Sequence, residues 1–125
     1  MIIQFLIFPR SYFSLDTNLG NKVGNEYTLL AQTSSTSNTN TVKITNLSQF
    51  KYIELVRVNS DGQFTNPAII PLEVFKSLNS NVEGLLSGLY NQAGNNFVVS
   101  WYVDDTKVGL FCQNGTDTAK LYGIK

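Results

Sequence analysis

Apolar residues along this chain recur at the spacing of β-strands, in short stretches separated by turn-forming residues. Phe97, Val99 and Trp101 occupy every second position of one stretch, so they share one face of a strand. The predicted strands are residues 27–33, 41–45, 51–58, 63–72, 97–104, 107–113 and 118–124. About eight strands with short connections predict an all-β fold, an antiparallel β-sandwich that is jelly-roll-like.

Helical periodicity is weak by comparison. Only residues 72–78 and 82–90 carry apolar side chains at spacings that a helix could use. Gly84 and Gly88 interrupt the second stretch, and each costs about 1 kcal/mol relative to alanine inside a helix.

Two features predict where individual strands lie in the sandwich. Residues 51–58 are apolar on both faces, which predicts a central strand covered on both sides. The stretch that follows contains Pro67 and Pro71, which lack an N–H, so we expect an edge strand or a bulge there. Asp61-Gly62 predicts the tight turn between these two strands, and Asn114-Gly115 favours a second tight reversal.

The composition limits the partners that the chain can attract. Its 125 residues match a single domain, which we place at residues 27–125 after an N-terminal extension of residues 1–26. Charged residues make up 14 % of the chain, and nine basic side chains balance nine acidic ones. Without a net charge there is no field to attract nucleic acid, so we expect no nucleic-acid partner.

The first eight residues are almost entirely apolar. The stretch is shorter than the roughly 20 residues that span a bilayer, so it predicts no membrane insertion. Either it forms a strand or a subunit contact, or it is a degenerate signal sequence. We favour a contact used in assembly, formed by Ile2, Ile3, Phe5, Leu6, Ile7 and Phe8.

The absence of histidine and the single cysteine remove most catalytic chemistry. No histidine-based triad or zinc site can form, and we expect no metal and no cofactor. Cys112 lies in an apolar stretch and is predicted to be a small buried hydrophobe. Asp104 and Asp105 are the remaining candidates, either as turn residues, as a surface calcium site with Asp117, or as paired glycosidase carboxylates. The turn interpretation is favoured, so the chain is predicted not to be an enzyme.

A glycan could bind where aromatic and amide side chains occur together. Trp101 shares a strand face with other apolar residues, which favours core packing, so Tyr102 on the opposite face is the exposed candidate. A second group of aromatic and amide side chains follows residue 89, for which an ordinary solvated loop is the alternative. The candidate glycan-binding residues are Tyr90, Asn91, Gln92, Asn95, Asn96 and Tyr102.

The chain ends on Leu-Tyr-Gly-Ile-Lys, within the predicted strand from Ala119 to Lys125. Earlier in the sequence, Leu-Ser-Gln-Phe-Lys-Tyr-Ile covers residues 47–53, and Ile-Pro-Leu covers residues 70–72. In this order, the pieces resemble the small tip, or head, domains at the C-termini of bacteriophage tail-fibre and minor structural proteins. The resemblance covers roughly residues 27–125.

This resemblance implies a β-sandwich on the surface of a phage particle, assembled in the bacterial host cytoplasm. It implies a homo-oligomer, commonly a trimer, that contacts other virion proteins or a host cell-surface glycan. Fibre tips normally follow a long shaft, so either a shaft precedes this sequence, or the chain is a short virion protein that docks through its N-terminal segment. The alternative functions are a stand-alone carbohydrate-binding module and, third, a hydrolase using Asp104 and Asp105.

Overall fold

The computed structural model describes residues 26–90 and 95–125 and contains two four-stranded antiparallel sheets packed face to face. The elements, in chain order, are β1 (Tyr27–Thr33), β2 (Thr41–Lys43), a 3₁₀ turn (Leu47–Gln49), β3 (Tyr52–Val58), β4 (Phe64–Pro71), α1 (Leu72–Phe75), β5 (Leu85–Tyr90), β6 (Asn95–Asp104), β7 (Lys107–Cys112) and β8 (Thr118–Ile124). The predicted β-sandwich is confirmed. The seven strands listed from the sequence are present, with ends that differ by no more than two residues.

The first and last strands of the described chain are neighbours in the same sheet. Sheet A has the strand order β1-β8-β3-β4, and sheet B has the order β2-β7-β6-β5. The first strand therefore pairs with the last, and the second with the second to last, a nested pairing of the jelly-roll kind. The remaining neighbours include the hairpins β3–β4, β5–β6 and β6–β7.

Strand β3 lies between β8 and β4 and is buried on both faces, as its two-sided apolar pattern predicts. Ile53 and Leu55 point toward sheet B and have no exposed surface. Glu54 and Val56, which alternate with them, lie on the outer face and are 3 % and 0 % exposed. Apart from Tyr52, which is 45 % exposed at the start of the strand, and the half-buried Val58, the side chains of β3 are therefore withdrawn from water.

Strand β4 forms an edge of sheet A, as its prolines predict. Its pairing with β3 shifts register between Leu55 and Arg57, opposite the segment that contains Pro67, and Asn66 adopts a φ of 41°. The register shift is the bulge expected where a strand lacks a ladder donor. The preceding turn uses Gly62 at a φ of 80°, so the predicted Asp-Gly reversal is also confirmed.

The two stretches with weak helical spacing form different structures. Only Leu72–Phe75 is α-helical, and residues 85–90 form β5 instead, an eighth strand that the pattern did not predict. Gly88 has a φ of 113°, and a Cβ added there would lie 2.5 Å from the backbone oxygen of Asn96. Glycine at this position lets the two backbones of the β5–β6 hairpin approach each other.

The main core lies between the sheets. Ile53, Leu55 and Leu121 contribute to it from sheet A, and Val98 and Leu110 contribute from sheet B. Every second residue of β6 faces this core, so the residues that alternate with Val98 lie on the outer face of sheet B.

A second cluster forms on that outer face of sheet B. Phe97, Val99, Trp101 and Phe111 are each 9 % exposed or less. The rings of Trp101 and Phe111 meet edge to face, with centroids 6.2 Å apart. Trp101 is therefore buried as predicted, but it packs away from the main core, because Val98 and its alternating neighbours occupy the side between the sheets.

Several predicted features lie outside the described residues. They include residues 1–25 of the predicted N-terminal extension, and with them the proposed assembly contacts Ile2, Ile3, Phe5, Leu6, Ile7 and Phe8. Two of the candidate glycan-binding residues, Asn91 and Gln92, are also outside them. These assignments stay predictions.

Candidate functional site

The candidate glycan residues near position 90 lie at the end of the β5–β6 hairpin. Tyr90 and Asn95 are backbone partners in its last described pair. Asn96 is partly exposed, and its side-chain oxygen lies 3.4 Å from the amide nitrogen of Asn114. The hairpin end therefore places Asn96 beside the β7–β8 loop.

Tyr102 lies near the other end of β6, about 23 Å from Asn95 at roughly 3.3 Å per residue. Its side chain is half-buried against the main core, where its ring meets the ring of Phe75 edge-on at 6.4 Å. Its hydroxyl donates a 2.7 Å hydrogen bond to Asp105, and this bond raises the pKa of Tyr102. Tyr102, expected to be the exposed glycan candidate, is therefore half-buried and faces the main core.

The Asp104–Asp105 pair forms a turn, as the favoured interpretation predicts. Asp104 accepts hydrogen bonds from the backbone N–H of Thr106 at 2.8 Å and from its hydroxyl at 3.1 Å. The backbone hydrogen bond is the main cause of the lowered pKa of the Asp104 carboxyl. Asp105 accepts from Tyr102 and lies 3.7 Å from the Lys76 ammonium. Both carboxylates thus act in local structure.

Asp117 does not join this turn but lies inside the protein. The Arg57 guanidinium donates to it through Nε at 2.6 Å and through Nη2 at 3.2 Å. Arg57 also donates to the Thr65 hydroxyl at 3.2 Å, and Asp117 is 1 % exposed. This bidentate pair satisfies a buried charge and is a structural contact. Within residues 26–90 and 95–125, no group of three or more histidine, cysteine or acidic side chains could hold a metal ion.

The Cys112 thiol is buried beside this ion pair. Its sulfur lies 3.4 Å from the backbone oxygen of Thr33 and 3.6 Å from that of Asp117. Burial, followed by the negative charge of Asp117, raises the pKa of the thiol to about 11. A thiol that remains protonated at neutral pH is a poor nucleophile, which agrees with its prediction as a small buried hydrophobe.

An open groove with polar walls crosses one end of sheet A, and the sequence reasoning missed it. It has a volume of about 460 Å³ and is largely open to solvent, unlike the clefts that enclose most of a small ligand. It spans β1, β8 and β3, where Gln32 pairs with Lys120 and Val58 pairs with Thr118. We call it the polar groove, and its lining residues are Gln32, Thr33, Ser34, Val58, Thr118 and Lys120.

Nothing in the sequence pattern marks the polar groove. Its residues come from β1 and the residue that follows it, from β3 and from β8, which are far apart along the chain, and five of the six are ordinary polar residues. The pairing of β1 with β8, and of β8 with β3, is what places them together. Only the non-local strand order could have revealed the site.

Lys120 holds a positive charge beside the polar groove. Its side chain starts on β8 and its ammonium lies 5.6 Å from the ring centroid of Phe64 on β4, so it crosses the outer face of β3. The charge of Lys120 is therefore held over an aromatic ring.

No protein-family model, no curated protein and no solved structure matches this chain. The function is therefore argued from the arrangement of the residues and from the sequence resemblance. Among the described residues, no helix has the length and apolar character to cross a membrane.

Proposed function

We propose that this chain is a non-enzymatic bacteriophage virion surface protein: a fibre tip, a head fibre or a decoration subunit. In this role it contributes to particle assembly, to attachment to the host surface, or to both. Asp104, Asp105 and Cys112 are each engaged in local structure or buried, which supports a binding role over catalysis.

The observation that carries the proposal is that the three sequence pieces of the resemblance meet at one end of sheet A. The Phe50 ring covers Gly123, where an added Cβ would lie 2.6 Å from the ring. The N–H of Lys51 donates to the oxygen of Ile124 at 2.7 Å, and the N–H of Leu72 donates to the oxygen of Lys51 at 2.8 Å.

Because these segments contact one another, the residues of each segment limit which side chains fit in the other two. Residues 47–53 contribute the 3₁₀ turn and the start of β3, residues 70–72 the end of β4, and residues 119–125 most of β8. A combined pattern whose parts pack together is more specific than its separate parts. The proposed role rests on the sequence resemblance to phage tip domains, whose three pieces contact one another in this fold.

The role is tested by looking for the protein in particles. We expect mass spectrometry of purified virions to detect this chain, and light scattering of the purified protein to give a multiple of 13.9 kDa. A monomer that is missing from purified virions contradicts the proposal.

The proposed assembly contact at the N-terminus has its own test in the full chain. The double substitution Phe5→Asp and Ile7→Asp places two charges in the apolar segment, and we expect it to reduce the oligomer to a monomer. Val82→Asp is the control, because Val82 is apolar but 85 % exposed. An unchanged oligomer mass in the double variant removes this segment from the contact.

A stand-alone carbohydrate-binding module is the second candidate, and the polar groove is the observation that favours it. A monomer that binds glycans and does not associate with particles would support that function instead.

A further inference from the structure

We propose that the polar groove binds an acidic sugar, meaning a saccharide that carries a carboxylate or a phosphate group. Its role in host attachment rests on the proposed function, whereas the binding itself does not. We draw this from two features of the groove, its hydrogen-bonding side chains and its cation, and from the aromatic ring outside the lining that lies beside that cation.

The walls of the groove offer the groups that hydrogen-bond to sugar hydroxyls. The lining includes the amide of Gln32 and the hydroxyl-bearing residues Ser34 and Thr118, whereas the hydroxyl of Thr33 already accepts a hydrogen bond from the Ser35 N–H at 3.1 Å. The hydroxyls of Ser34 and Thr118 lie 3.2 Å apart, and each oxygen can still accept or donate another hydrogen bond. Such a pair can hold the neighbouring hydroxyls of one sugar ring.

The cation determines which sugars fit. Among the described residues that line the groove, Lys120 is the ionisable one, and its ammonium lies 5.6 Å from the ring centroid of Phe64. An ammonium that already lies beside a hydroxyl-lined surface forms a charge-assisted hydrogen bond with an incoming anion. Asp117 is next to Thr118 in sequence, but its carboxylate is turned inward to Arg57 and does not occupy this position.

Apolar surface completes the site. Val58 is half-buried at the groove, and Phe64 pairs with it across the β3–β4 hairpin. Sugar rings pack an apolar face against such surfaces while their hydroxyls bond to polar groups. A simple anion would use Lys120 alone, whereas an acidic sugar would use Lys120 and the hydroxyl pair.

The test is a titration of the full chain, labelled with ¹⁵N, followed by NMR. The probes are glucuronic acid, glucose 6-phosphate, glucose, acetate and inorganic phosphate at constant ionic strength. We expect one or both acidic sugars to shift amides around residues 32–34, 58 and 118–120, with an affinity at least about tenfold above that of glucose. Which acidic sugar binds more tightly distinguishes a carboxylate source from a phosphate source.

Substitutions at Lys120 separate charge from shape. Lys120→Met keeps the apolar stem over β3 and is expected to weaken acidic-sugar binding about tenfold, while Lys120→Arg retains most of it. Lys43→Met is the matched control, because Lys43 is exposed on β2 in the other sheet and should leave binding unchanged. Thr118→Val should also weaken binding, since it removes one hydroxyl of the pair.

Several outcomes overturn the inference. These are equal affinity for glucose and both acidic sugars, equal affinity for acetate or phosphate alone, shifts that map elsewhere, and undiminished binding by Lys120→Met. If the protein is present in virions but no sugar binds in the titration, the proposed sugar binding is wrong and the proposed virion function stands. If an acidic sugar binds but the protein is absent from virions, the proposed sugar binding stands and the proposed virion function is wrong.

Discussion

At the scale of single residues, Gly109 and Trp101 control the packing of the outer face of sheet B. The Trp101 ring lies directly over Gly109, so an added Cβ would overlap the ring atoms. We predict that Gly109→Ala displaces the indole and lowers the free energy of unfolding by about 1–3 kcal/mol. Urea denaturation followed by fluorescence measures both effects, because Trp101 is the only tryptophan in the chain.

Gly115→Ala is the control for this substitution. A Cβ at Gly115 would meet only the Thr36 side chain, at the ordinary contact distance of 3.5 Å. We expect a change below about 0.5 kcal/mol there. Equal effects at Gly109 and Gly115 would contradict the packing argument.

The Arg57–Asp117 pair is the second test at this scale. Asp117→Ala leaves the Arg57 charge buried without its carboxylate, and we predict a loss of about 3–5 kcal/mol of stability in chemical denaturation. Lys76→Ala removes a partly exposed pair, in which the charged atoms are 3.7 Å apart, and should cost less than about 1 kcal/mol. If both variants lose the same free energy of unfolding, burial does not explain the contribution of the Arg57–Asp117 pair to stability.

The two turn dipeptides, Asp61-Gly62 and Asn114-Gly115, show how much of a turn conformation a local motif predicts. Asp61-Gly62 forms its reversal with Gly62 at a φ of 80°, as the motif requires. Gly115, by contrast, does not adopt a left-handed φ. Asn114 accepts hydrogen bonds from the backbone N–H and the hydroxyl of Thr116, both at 3.0 Å. The motif predicted a turn at both sites but the backbone conformation at only one.

At the scale of elements, β5 shows why a strand can be missed. Its residues, Leu85–Tyr90, include two serine or glycine positions, so they lack the β-branched alternation that identifies other strands. Ser87 is 1 % exposed, and its hydroxyl donates to the backbone oxygen of Asn66 at 2.7 Å. That contact joins β5 to β4 across the sandwich, and the local sequence does not contain it.

The strand order predicts unequal protection from hydrogen exchange. β8 and β3 are hydrogen-bonded on both sides, while β2 is a three-residue strand at the edge of sheet B. We expect amides of β8 and β3 to exchange at least about tenfold more slowly than those of β2, measured by NMR at neutral pH. Protection in β2 equal to that in β8 would contradict the observed order.

At the scale of the whole molecule, burial and nearby carboxylates shift several pKa values in the same direction. Burial raises the pKa of Cys112 to about 11 and also raises that of Tyr122, while Tyr102 is raised mainly by its hydrogen bond to Asp105. Each group is neutral when protonated, so the folded state favours its protonated form. The resulting stability is complete below pH 9 and is lost as the pH rises.

We therefore predict that the free energy of unfolding is constant from about pH 7 to 8.5 and falls between pH 9 and 11. Denaturation curves at each pH measure it. Cys112→Ala should make the total fall in the free energy of unfolding between pH 9 and 11 smaller, by an amount on the order of 1 kcal/mol. The variant lacks the thiol, whose pKa is raised to about 11. A fall that is identical in this variant would show that the thiol does not contribute.

The candidate site could be predicted only in part. Sequence reasoning identified turn chemistry at Asp104 and Asp105 and burial at Trp101 and Cys112, because each follows from residue type and immediate neighbours. It expected Tyr102 to be exposed, whereas Tyr102 is half-buried against the main core. It also missed the polar groove, whose residues lie on separate strands.

The sequence by itself determined the fold class, most strand positions, the central place of β3 and the edge place of β4. These depend on alternation, proline and turn residues, which act within a few positions of one another. Only the tertiary structure decided which face of β6 meets the main core, that residues 85–90 form a strand, and that Lys120 lies beside a groove of hydroxyls. Those outcomes depend on pairing between distant strands, and a strand with apolar residues on both faces does not state which face its partner will cover.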